Sequence, residues 1–153
     1  MKWRNHMLMA GSCAVLLNMH PVEIIYCMAA AALPDQLEAP GGERLTAHRT
    51  LTHELLLWLV PLVFLRFFSN LIPGSSVSML VDRILVPLHF RPWVFFLPGV
   101  LHLAGDFLTP GGIPIAGRKI GLGLFRTGRP AEYIVTAVFV LWAFVHMFPR
   151  FHI

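Results

Sequence analysis

Between Leu55 and Phe68 the chain reads LLLWLVPLVFLRFF, a run whose only charge is Arg66, and directly before it, at residues 48 to 54, stands HRTLTHE. A segment this apolar must be buried in protein or in lipid, because a large apolar side chain moved out of water gains roughly 1.5–3 kcal/mol. Further apolar runs follow at about Trp93 to Leu108 and Tyr133 to Phe148. Composition argues that lipid supplies the surroundings: of 153 residues, 56% are hydrophobic and 13% charged, against about a quarter charged in an ordinary globular domain. The expectation is one membrane-embedded domain spanning residues 1–153, without internal repeats. The net charge of +4 comes from scattered basic residues with no aromatic-basic strip, so membrane lipid is an expected partner and nucleic acid is not. Cys13 and Cys27 lack the CxxC spacing of a zinc or redox motif and read as buried free thiols. A signal peptide fits poorly, since His20, Pro21 and Glu23 split the apolar core it would need.

The apolar periodicity and the breakers predict an all-α fold: a membrane-embedded helical bundle with an N-terminal helical hairpin, or a single kinked helix, plus three long apolar helices. The first two segments run from about His6 to Met19 and from about Glu23 to Ala32, broken at His20-Pro21 and closed by Leu33-Pro34-Asp35. Each is shorter than the ~20 residues that a bilayer core needs. A polar loop to His53 precedes a helix from about Glu54 to Ile72 that contains Pro61. The connector 73–92 holds a short helix around Met79 to Val86, and the helix ending at Leu108 is stopped by Thr109-Pro110-Gly111-Gly112. The final helix follows a connector that reaches Glu132.

In such a hairpin and up-and-down pair, His6, Asp35, the HRTLTHE loop, His102, Asp106 and Glu132 converge on one end of the bundle. His102 and Asp106 are four apart on an apolar helix and share a face. A carboxylate at membrane depth costs about 2.5–3.5 kcal/mol on insertion scales, which a divalent cation offsets. The plainer alternative is a hydrogen-bonded His-Asp pair that locks two helices. His48 and His53, five apart, do not share a helix face, so His48 is assigned to the loop and His53 to the first helical turn, capped by Thr50 or Thr52. Mixed nitrogen and carboxylate ligands suit a divalent metal, zinc first, or manganese or iron if carboxylates dominate. Arg49 suits either a substrate phosphate or a lipid headgroup.

These residues also carry a resemblance. Asn5-His6-Met7, Leu33-Pro34-Asp35, His48-Arg49-x-x-Thr52-His53, His102-x-x-x-Asp106-x-Leu108-Thr109-Pro110-x-Gly112-x-Pro114 and Gly128-x-x-x-Glu132 follow in order the pattern of the YdjM-like family of bacterial inner-membrane-associated metal-dependent hydrolases. That family is in turn similar to the zinc-dependent phospholipase C group, whose helices carry His and Asp ligands to a multi-metal cluster. The resemblance implies metal-ligand roles for His6, Asp35, His48 or His53, His102 and Asp106, with Glu132 as a further candidate. Where the family reads LPDxDH, this chain has Leu37 for the second aspartate and Glu38 for the histidine, and Glu54 replaces a serine. Those departures imply a smaller metal set or an inactive descendant, with Glu38 left as a ligand or a base.

The function expected from this reading is a membrane-embedded hydrolase of a phosphoester or other ester of a membrane-associated substrate. Glu38, Glu54 or Asp35 would take the proton from a metal-bound water, and Arg49 would hold the charged part of the substrate. The rival is a non-catalytic membrane subunit or scaffold whose His/Asp cluster fixes helix packing. The expected location is the bacterial inner membrane, multi-pass. Lys2, Arg4, Arg44, Arg49, Arg118, Lys119, Arg126 and Arg129 fall at the site end, against Arg66, Arg83, Arg91 and Arg150 at the other, so the site is expected to face the cytoplasm. A single kinked first helix would move Lys2 and Arg4 across and leave no preference.

Overall fold

The computed structural model describes residues 1–38, 51–68, 81–85 and 87–147 of the chain. Among these residues are six α-helices: α1 (Trp3–Leu16), α2 (Pro21–Ala30), α3 (Leu33–Glu38), α4 (Leu55–Phe68), α5 (Leu97–Phe107) and α6 (Pro130–Met147). Two short strands, β1 (Ile113–Ile115) and β2 (Arg118–Ile120), form an antiparallel hairpin. Short helical turns occur at Leu51–His53, Val81–Leu85 and Pro92–Phe95.

The break between α1 and α2 has a local cause. Pro21 opens α2, where its missing N–H is not needed, and the His20 ring accepts from Val22 N while Glu23 accepts from His20 N. The resulting pair pack against each other, and α1 also lies along α6 and α5. At the centre stands α5, which touches α1, α2, α3, α4 and β1 and buries His102, Leu103, Gly105 and Asp106. Two close approaches depend on glycine: a Cβ at Gly99 would meet the Trp58 ring of α4 at 2.1 Å, and one at Gly105 would meet the His6 ring of α1 at 3.0 Å. Trp58 is fixed in that position by its indole N–H, which donates to Thr52 O at 2.7 Å. Among the described residues both cysteines are free thiols, Cys27 buried as expected and Cys13 only partly so.

The expected set of three long apolar helices is overturned. Among the described residues α6, with 18 residues, is the one helix long and apolar enough to cross a membrane. The helix α4 has 14 residues and α5 has 11. The run at 93–108 is shortened because Pro92 opens a separate 3-10 turn over Pro92–Phe95, and α5 begins only after Phe96, with Pro98 in its first turn. The all-α expectation also fails at residues 113–120, read as connector, where β1 and β2 pair through a two-residue turn. Ala116 and Gly117 both have positive φ there, 49° and 77°, the arrangement that matches strand twist in a tight hairpin.

Candidate metal centre

Helix periodicity does what the spacing of His102 and Asp106 implied: both face the inside of α5, with the His102 ring wholly buried and Asp106 nearly so. The His102 Nδ1 lies 2.7 Å from Ala31 O. A carbonyl only accepts, so Nδ1 carries the proton and Nε2 presents a lone pair. His53 is oriented in the same way, its Nδ1 2.8 Å from Glu38 Oε1, and Glu38 also accepts from Thr52 Oγ1 at 2.8 Å. The two Nε2 atoms then face each other at 3.3 Å. Two lone pairs at that distance repel unless a cation, a proton or a metal ion, stands between them.

Carboxylates complete the set. Asp106 Oδ2 lies 3.7 Å from His102 Nε2 and 3.8 Å from His53 Nε2. Asp35 Oδ1 is 3.3 Å from His53 Nε2 and 3.8 Å from His102 Nε2. Ligand atoms bound at about 2.0–2.2 Å to one tetrahedral ion stand roughly 3.3–3.6 Å apart, close to these separations. His6, from α1, stacks on His102 with ring centroids 3.8 Å apart. Its Nε2 is 3.4 Å from Asp106 Oδ1 without hydrogen-bond geometry, so both nitrogens of this buried ring lack a hydrogen-bond partner. Buried polar atoms are rarely left so, and a bare imidazole nitrogen at a cluster of carboxylates fits a cation ligand. His6, Asp35 and His102 form one triad able to hold a metal ion, and His53, His102 and Asp106 form another.

The electrostatics fit the same chemistry. Burial, reinforced by the neighbouring His6, pushes His102 down to about 3, so its imidazole is neutral and Nε2 stays available. Burial alone would raise Asp106, but His6 and the Met1 ammonium, which donates to Oδ1 at 2.7 Å, hold it well below the usual carboxylate range. His53 moves the other way: burial lowers it, and Asp35 and Glu38 outweigh that, so its protonated form is favoured and a metal ion there would displace a proton.

Of the residues singled out from the sequence, His6, Asp35, His53, His102 and Asp106 come together. Glu38 stands behind His53, as the group that orients the ring. Glu132 belongs elsewhere: one oxygen accepts from Lys2 N and Asn5 Nδ2, both at 2.6 Å, and the other from Gly128 N at 2.5 Å. It ties the start of α1 to α6 and so holds His6 in place. Glu54 is likewise turned away, its Oε1 accepting from Ala116 N in the hairpin turn at 2.8 Å. His53 lies in the turn before α4, not in its first helical turn, and Thr52 serves Glu38 instead of capping a helix. His48 and Arg49 lie outside the described residues. The Ala31 carbonyl had no signal in the sequence, because a main-chain acceptor carries no side-chain pattern. Set against known protein families, curated proteins and solved structures, the chain matches none of them.

The support that Glu38 gives His53 has a measurable consequence. Glu38→Ala should weaken metal binding by about 10–100-fold, the usual effect of losing the partner that orients a ligating histidine. Thr52→Ala, which removes one hydrogen bond from that partner, should have a smaller effect in the same direction. Titration with zinc against a competing chelator measures both; unchanged affinity in Glu38→Ala would show that His53 needs no orienting group.

Proposed function

We propose that this chain is a membrane-anchored, metal-dependent hydrolase acting on a phosphoester or another ester of a membrane-associated substrate. The observation that carries the reading is the triad His53, His102 and Asp106, buried and within ligand distance of one another, with both imidazoles turned so that their Nε2 atoms converge. Two nitrogens and a carboxylate favour zinc, ahead of manganese or iron. Zinc held there would supply a water ionised near neutral pH and a Lewis acid for the scissile group.

The chain's own residues divide the remaining work. His53 and His102 keep a fixed tautomer through Glu38 and Ala31 O. Asp35 is the candidate base, since its carboxylate is 32% exposed beside the otherwise buried cluster and so reaches both the site and solvent. Arg49 is proposed to hold the charged part of the substrate. Because both triads use His102, whose Nδ1 is engaged by Ala31 O, Nε2 serves one ion at a time. That favours fewer ions than a phospholipase-C-like cluster, in keeping with the loss of two family residues at Leu37 and Glu38. The motif resemblance to YdjM-like hydrolases supports the same reading, since five of its aligned histidines and aspartates are the ones that meet in the cluster. We place the protein in a bacterial inner membrane with α6 as its anchor. Arg118, Lys119, Arg126 and Arg129 precede α6 and Arg150 follows it, so the positive-inside rule puts the metal centre on the cytoplasmic side.

A second reading, a non-catalytic membrane subunit, is favoured by one observation: the bonds from His102 to Ala31 O and from His53 to Glu38 already join α5 to the end of α2 and the turn before α4 to α3 without an ion. Purified full-length protein loaded with zinc should hydrolyse at least one member of a panel of phospholipids, phosphodiesters and carboxylic esters. A chelator should abolish the activity and added zinc restore it. Metal-loaded protein inert across the panel would leave the cluster as a structural site and sink the enzyme reading.

A further inference from the structure

The segment between β1 and α6 reads A-G-R-K-I-G-L-G-L-F-R-T-G-R, residues 116 to 129. After β2 it continues along the C-terminal end of α5, where Leu122 N donates to Phe107 O and Leu124 N to Leu108 O, both at 2.8 Å. These bonds satisfy helix carbonyls that have no partner within α5. Gly121 lies against the turn after α5, where a Cβ would meet Gly112 Cα at 2.6 Å and Thr109 O at 2.8 Å, and Phe125 is buried. Ile120, Leu122 and Leu124 are 47%, 58% and 64% exposed. Aliphatic side chains exposed together along one segment mark an interaction surface.

Charge narrows the partner. Arg118, Lys119, Arg126 and Arg129 are exposed around the three aliphatic residues, and the sequence has no acidic residue between Asp106 and Glu132. The flanking acids are buried and engaged, Asp106 with the Met1 ammonium and Glu132 with three N–H groups. Nucleic acid would call for bases stacked on aromatic side chains, and the outward residues here are aliphatic. A bilayer with anionic headgroups fits both features, aliphatic groups entering the acyl boundary and cations meeting phosphates. The strip also runs directly into α6, the helix fit to cross a membrane, so it lies at the interface where such a helix enters.

We infer that residues 118–129 form a docking strip for anionic lipid, which inserts Ile120, Leu122 and Leu124 and, being fixed to the end of the helix that carries His102 and Asp106, holds the metal centre at the headgroup layer. The inference rests on the anchoring role of α6 but not on hydrolysis. The test uses full-length protein in phosphatidylcholine nanodiscs with or without phosphatidylglycerol. An environment-sensitive fluorophore is placed at Leu122→Cys in a Cys13→Ser background, Cys27 being buried. The label should be quenched by nitroxide-bearing lipid, and more strongly with the anionic lipid. Exchanging Arg118, Lys119 and Arg126 for glutamine should remove that preference, each basic residue near an anionic surface being worth roughly fivefold in partitioning. A reconstituted protein whose label stays in water would overturn the strip and leave the anchor standing; protein that does not enter discs would overturn both. Quenching indifferent to lipid charge and to the glutamine exchanges would overturn the anionic-lipid recognition. Shielding that follows protein-to-lipid ratio would assign the strip to contacts between copies of the chain and overturn the inference as well.

Discussion

Asp106→Asn should leave the helices intact and remove bound transition metal, with affinity lowered by at least about 100-fold. That lower bound follows because losing only a supporting partner of a ligand already costs about 10–100-fold. The substitution keeps the size of the side chain and its place beside His102, but discards the negative charge facing His6, the Met1 ammonium and the two Nε2 atoms. Elemental analysis of protein purified without chelator gives the metal content, and circular dichroism reports whether the fold is kept. Wild-type protein free of zinc, manganese and iron, or an Asp106→Asn variant that binds zinc as tightly as the wild type, would remove the metal centre from consideration.

The second large effect lies at the other end of α1. Glu23 is buried on α2, and Arg91 binds it through Nε at 2.9 Å, through Nη2 at 2.6 Å and through its backbone N at 2.8 Å. Arg91→Ala strands a carboxylate in the protein and should destabilise it by about 2–4 kcal/mol, below the 3–5 kcal/mol of fully buried pairs because the Arg91 side chain is 46% exposed. Unfolding in detergent micelles measures the change. The pH dependence has a definite sign. Burial by itself would raise Glu23, but the Arg91 and His20 hydrogen bonds outweigh it and lower the folded pKa from its ordinary 4.5. The wild-type contribution is therefore complete above that ordinary value and is lost as pH falls through the lowered folded value. In Arg91→Ala the deficit should shrink on acidification, when the stranded carboxylate takes up a proton. Pairing Arg91→Met with Glu23→Gln should recover much of the loss; a double variant as unstable as Arg91→Ala would mean that Arg91 acts through packing instead of charge.

The candidate ligands were legible because helix geometry links sequence spacing to direction. Four residues separate His102 from Asp106, and that alone puts them on one face of α5. His6 and Asp35 reach the cluster because the break at His20-Pro21 folds α2 back along α1. What spacing cannot encode is the second partner of each group. Glu132 and Glu54 are polar residues close to the site in sequence order, yet their oxygens are taken by main-chain N–H groups of Lys2 and Gly128 in one case and of Ala116 in the other. Those N–H groups became available only when α1 met α6 and when the hairpin turn formed beside Glu54. Glu38 was read as a ligand or base from its place in the motif, and its contact with His53 Nδ1 at 2.8 Å came only with the fold.

Helix lengths show the same division. The apolar runs determined that the chain exposes far more hydrophobic surface than water favours, and Leu57, Phe64, Leu141 and Val145 are among the large side chains left outside. They did not determine how many helices are long enough to cross a bilayer, because Pro92 and Pro98 divide one run into a 3-10 turn and a short helix. Nor did composition separate IGLGLF from an ordinary loop; bonded to the end of α5, it leaves Ile120, Leu122 and Leu124 exposed. The sequence by itself thus determined which residues can bind a cation and which segments avoid water, since both are properties of side chains and local periodicity. Only the tertiary structure decided which imidazole nitrogens are bare, which carboxylates are already engaged and which apolar faces remain outside, since each depends on contacts between segments far apart in the chain.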